Sequence, residues 1–155
     1  MKWQLNLAFI LILSISASAQ PLNNDNRPSL ENRQWNIVTY FDGTKLVVPL
    51  RRMFGGEGRI EEVPWPDITF SNGAITGSPG CAGFLGGYML SGNALKITAS
   101  WILAGFCPPD GIAQNYAVGD ALNAVHSWKW EGDQVELLDG DGRVRVALSP
   151  SSPSP

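Results

Sequence analysis

Two cysteines, Cys81 and Cys107, are the residues whose chemistry is most narrowed by number alone. Two thiols allow a single intramolecular pairing, and in an oxidising compartment such a pair joins as a disulfide. The alternative is two buried free thiols. A cysteine nucleophile would need a base, and His126 is the only histidine. That base must lie within hydrogen-bond reach of the nucleophile. A histidine at a helix end more commonly serves the last carbonyls, and an oxidised cysteine cannot attack. The glycines around Cys81 run G-x-x-G-x-x-G from Gly77, but no Gly-Lys-Ser/Thr follows, so they are not a phosphate cradle. The acidic stretch Asp139-Gly140-Asp141-Gly142 resembles part of a calcium loop, without its further oxygen ligands or terminal glutamate. A hairpin turn accounts for it. No His/Cys/carboxylate spacing suggests zinc. The sequence therefore predicts no catalytic residues, no metal site and no cofactor.

Tryptophan is the remaining functional candidate. Trp128 and Trp130 point the same way on one strand, Trp65 sits between prolines, and Trp101 opens an apolar run. Together Trp65, Trp101, Trp128 and Trp130 form the candidate ligand or interaction surface, as a barrel mouth lined by aromatic groups holds an apolar ligand. Core packing is the competing reading, because burial is the usual fate of large aromatics.

These residues need elements to hold them. In residues 35–41, Trp35, Ile37, Thr39 and Phe41 share one parity and Val38 and Tyr40 the other, which reads as a strand. Residues 45–50 read as a short edge strand stopped by Pro49. Residues 51–66, rich in glycine and proline, read as a long insertion-like loop. Asn72-Gly73 between apolar alternations marks a hairpin. A loop over residues 78–87 follows, then a hairpin turning at Ser91-Gly92-Asn93. Residues 101–106 are ambiguous by period. One helix is expected from Gly111 to about Val125, with Asp110 as its N-cap. Its apolar stripe is Val118, Leu122 and Val125, with Ala121 between and Ile112 and Tyr116 at its start. Gly119 weakens that helix but lets it sit close to a sheet. Residues 127–148 read as three strands of an antiparallel meander.

No βαβ alternation appears, so the fold class is α+β, mainly β. We expect a curved antiparallel sheet or partial barrel of about seven or eight strands with one packed helix. The N-terminus pairs Lys2 with an apolar run and the small-residue site Ala17-Ser18-Ala19. This predicts a signal peptide over residues 1–19, cleaved before Gln20, because the run is too short to span a bilayer. The chain is then exported, periplasmic or secreted, with no transmembrane segment in its mature part. A disordered leader over residues 20–29, one domain over 30–149 and a disordered tail over 150–155 complete the division. The chain carries a formal net charge of −3 and no basic stripe, which speaks against nucleic acid.

The order Trp35, Asp42-Gly43, Ile68-Thr69-Phe70, Gly73, Thr76-Gly77, Gly80-Cys81, Gly87-Tyr88, and later Cys107, Leu122, Trp128, Leu137-Leu138 and Gly142, resembles the META domain of the HslJ heat-shock proteins. Ala82 departs from it, standing where the family usually has asparagine after Gly-Cys. Leu103 also departs, where the family often has threonine. The resemblance implies a curved antiparallel sheet with a helix packed on it. It also implies an exported, non-enzymatic module acting in envelope stress tolerance or by interaction with a protein partner. The alternative is a carrier that binds an acyl chain or other apolar small molecule, as pilot lipoproteins of similar fold do.

Overall fold

The computed structural model describes Arg27 and residues 29–54, 60–62, 65–102 and 107–151. The expected signal peptide, nearly all of the leader, the end of the tail and residues 103–106, Leu103 among them, lie outside the described residues.

Alternation and turns build the chain into hairpins. The strands are β1 (Arg33–Phe41), β2 (Leu46–Val47), β3 (Arg52–Phe54), β4 (Ile60–Glu62), β5 (Asp67–Ser71), β6 (Ala74–Ser78), β7 (Gly83–Ser91) and β8 (Ala94–Ile102). The helix α1 (Pro109–Asn123) follows, then β9 (Ser127–Glu131), β10 (Gln134–Leu138) and β11 (Val144–Pro150). Asn72 and Gly73 both take positive φ, 52° and 78°, as the tight β5–β6 turn requires.

The large sheet runs β11-β10-β9-β8-β7-β6-β5-β1-β2, entirely antiparallel, and β11 also pairs with β1. The sheet thus closes on itself as a curved ring, with β2 appended at the end of β1. The seam is between β8 and β9, whose ladder is the single pair Ala94↔Ser127. Inward side chains from nearly every strand of the ring meet in one core, where Trp35, Ile37, Ile68, Phe70, Ile75, Leu137 and Leu148 have no exposed surface.

Four local expectations are corrected. The strict parity of residues 35–41 breaks at a bulge between Ile37 and Thr39, so Trp35 and Ile37 face inward and then Tyr40 does. One extra residue in a strand flips every later side chain. Residues 51–66 are not all loop, because β3 and β4 pair as a hairpin of their own. The loop after β6 is short. β7 begins at Gly83, and Gly86 is a strand residue whose Cβ would lie 1.9 Å from the Thr98 carbonyl oxygen. Finally, α1 starts at Pro109 with Pro108 as N-cap, while Asp110 lies in the first turn. Proline suits that position because its missing N–H would be unpaired there anyway.

The helix presents Val118, Ala121 and Leu122 to the core, with Val125 just beyond its end, as expected. Tyr116 instead faces outward, 53% exposed. Gly119 is where α1 touches the sheet, since a Cβ there would lie 1.9 Å from the Trp101 ring. Side-chain amides complete the join. Asn123 takes the Ala99 N–H on Oδ1 at 2.8 Å and donates to the Ala99 carbonyl at 3.4 Å, acting as a missing strand at the edge of β8. Gln114, buried, accepts the Leu50 N–H at 2.6 Å and donates to the carbonyls of Leu50 and Pro79.

Candidate functional site

The four predicted tryptophans do not form one surface. Trp128 and Trp130 stand opposite Leu137 and Val135 in the ladder and therefore face inward with them. Their rings meet at 6.5 Å, and Trp130 also packs on Trp35 at 5.8 Å. Trp128 Nε1 donates to the Gly92 carbonyl at 3.0 Å, tying the β7–β8 turn to the seam. Trp101 sits away from this pair, edge-on to Phe84 at 5.7 Å and over Gly119. Trp65 is outside, 40% exposed, beneath the Arg51 guanidinium at 4.2 Å. The pair at positions 128 and 130 follows from strand period; the separation of the other two depends on where the ring closes.

The two cysteines are brought together. Cys81 and Cys107 stand at disulfide distance, with Cα atoms 5.7 Å apart, within the range a bridge requires. Asn115 Nδ2 donates to Cys81 Sγ at 3.4 Å. His126 is engaged elsewhere. Its Nδ1 lies 3.0 Å from the Ala124 carbonyl, its N–H donates to Leu138 and its carbonyl accepts from Leu95. The acidic turn is a structural knot. Asp139 Oδ1 accepts the N–H groups of Asp141 and Arg143, each at 2.9 Å, and Oδ2 meets Arg145 Nε and Nη2 at 2.8 and 2.7 Å. These bonds hold the Asp139 carboxyl below the usual carboxylate range.

The feature that sequence reasoning missed is the outer wall of β6, β7 and β8. These three strands carry one charged residue between them, Lys96. The opposite wall, β9 to β11 and its turns, carries Lys129, Glu131, Glu136, Asp141, Arg143 and Arg145. On the uncharged wall Met89 is 72% exposed, with Leu85 and Ile102 nearly half exposed. Two shallow hollows of about 260 and 240 Å³ adjoin there, both lined by Met89 and Lys96. Leu90, Leu95 and His126 border the first, and Gly73, Gly87 and Thr98 the second. Lys96 reaches the Asn123 carbonyl at 3.5 Å and has no carboxylate partner among the described residues. The signal in the sequence was the lack of charge over residues 74–102 apart from Lys96, visible only once those strands were known to be adjacent.

The closed sheet, its helix and the paired cysteines match what the sequence resembled. The META domain family model matches residues 28–152. This chain belongs to the META domain family. No curated protein matches this META domain chain. Two solved structures with TM-scores of 0.50 or more share its fold. One, an NMR structure of a protein from Burkholderia xenovorans, is 17% identical over 79% of this chain and 84% of its own, with a TM-score of 0.51. Another NMR structure is 16% identical over 77% of this chain and 90% of its own, with a TM-score of 0.50. A DUF4847-family protein from Bacteroides vulgatus is 13% identical over 81% and 96%, with a TM-score of 0.48. No helix among the described residues is long and apolar enough to cross a membrane.

Proposed function

We propose that this META domain is an exported, non-enzymatic interaction module serving envelope stress tolerance, and that it docks a partner protein on the wall of β6, β7 and β8. The observation that carries the reading is the loss of charge on that wall, with Met89 exposed near the β7–β8 turn and Lys96 opposite it without a carboxylate partner among the described residues. Interface cores are depleted of charge and enriched in methionine. The partner surface is apolar with one carboxylate to meet Lys96, because an amine with no carboxylate beside it on an otherwise uncharged face selects that chemistry. The adjoining hollows are each smaller than the roughly 300–1,000 Å³ of an enclosing ligand pocket, and they suit single partner side chains. Cysteines placed to bridge, and the N-terminal pattern of residues 1–19, support export.

Carriage of an apolar ligand is the second reading, favoured by the half-buried Trp128 and Trp130 beside the seam. Native mass spectrometry of protein from the exporting host separates the two. Docking predicts a bare polypeptide mass and no tryptophan quenching by fatty acids; a co-purified lipid displaced by fatty acid makes it a carrier. A photo-crosslinking residue at Met89 should yield one discrete protein adduct in the host, and the same residue at Glu136 none. Equal yields at both positions would remove the docking wall.

A further inference from the structure

Asn115 is the place where α1 meets the Cys81 loop with a polar atom left over. It is 2% exposed, its Nδ2 donates to Cys81 Sγ, and its Oδ1 is buried with no partner among the described residues. Its neighbour Gln114 shows the same amide chemistry satisfied on both atoms. A buried acceptor without a donor carries its full desolvation penalty, so such an atom calls for an explanation. The adjacent sulfur supplies one. A disulfide sulfur has no hydrogen to give, whereas a thiol has an S–H donor. Turned over about its Cβ–Cγ bond, the Asn115 amide would take the S–H of reduced Cys81 on the Oδ1 that has no donor in the bridged state. Cys107 adds a second bias. It immediately precedes the N-cap Pro108, at the positive end of a helix of 15 residues, where a thiolate is favoured. Both cysteine residues are half-buried rather than sealed.

We propose that Cys81–Cys107 is a thiol–disulfide exchange site that takes an external dithiol, and that Asn115 sets how readily it is reduced. The proposal rests on the two cysteines being bonded in the exported protein. A thiolate of the dithiol attacks Cys81 Sγ, the bond to Cys107 breaks, and Cys107 leaves as a thiolate at the helix end. The second thiolate of the dithiol then attacks its own sulfur in the mixed disulfide. Cys81 leaves with the Asn115 amide N–H directed at it and takes up a proton, and the amide then turns over to accept the S–H on Oδ1. Two electrons and one proton pass to the protein, leaving Cys81 as a thiol and Cys107 as a thiolate; the second proton goes to solvent, and the dithiol leaves as its cyclic disulfide.

The test equilibrates the full exported chain in graded ratios of reduced to oxidised dithiothreitol, traps thiols by alkylation and counts them by mass. Asn115→Leu should need about tenfold more reductant for half reduction than the wild type, equivalent to about 30 mV. Asn115→Ala, if the larger side chain disturbs folding, should shift in the same direction. Asn115→Leu should also raise the thermal midpoint of the oxidised protein more than that of the reduced one. Half-reduction ratios within twofold of wild type, or equal thermal shifts in both redox states, overturn the role of Asn115. Free thiols in the exported protein before any reductant is added overturn the pairing itself.

Discussion

Asp139 and Asp67 are two carboxylates pushed in opposite directions by their surroundings. Turn amides and Arg145 hold the Asp139 pKa low, so its stabilisation is fully present above the ordinary carboxylate pKa and lost as pH falls through the depressed value. Asp67 is raised by burial, so its folded form binds the proton more tightly and stability falls as pH rises through that raised pKa. Thermal melts across acidic pH should therefore show Asp139→Asn lowering stability at neutral pH and flattening the loss on acidification. Asp67→Asn should leave stability at neutral pH unchanged or higher. Gly119 tests packing against propensity. Alanine gains about 1 kcal/mol of helix propensity, but its Cβ would lie 1.9 Å from the Trp101 ring. The clash should win, and Gly119→Ala should lose about 1–3 kcal/mol in urea unfolding.

At the scale of elements, α1 is held both by its buried Val118, Ala121 and Leu122 and by amides at its two ends. Gln114 satisfies the backbone of Leu50 and Pro79 near the start, and Asn123 satisfies Ala99 at the finish. Gln114→Leu should cost about 1–3 kcal/mol, because buried backbone groups lose their partner. Amide hydrogen exchange should then speed up at Leu50. A loss at Leu50 no larger than at an unrelated β10 amide would deny the helix this role. The hairpins were readable from turn residues and alternation, since those signals act between near neighbours in the chain. The bulge between Ile37 and Thr39 and the early start of β7 were not, because both are set by partners far away in sequence.

For the whole molecule, bridging Cys81 to Cys107 ties the β6–β7 loop to the start of α1, across the seam side of the ring. Closing a loop of that length should stabilise the fold by about 3–4 kcal/mol. Urea denaturation with and without reductant should show a difference of that order, and no difference would mean the cysteines are free in solution. The docking wall belongs to the same scale. Three strands that are each unremarkable in composition become one uncharged face only when paired side by side.

The sequence by itself determined the family, the antiparallel character and the single helix. Those follow from local period, turn chemistry and motif spacing, which need no knowledge of distant neighbours. Tertiary structure alone decided that Trp65 and Trp101 part company with Trp128 and Trp130, and that Asn115 lies against Cys81. It alone decided that Met89 and Lys96 share an uncharged wall. Each of these depends on how the sheet curls and closes, a long-range property of strand pairing that no short stretch of the chain encodes.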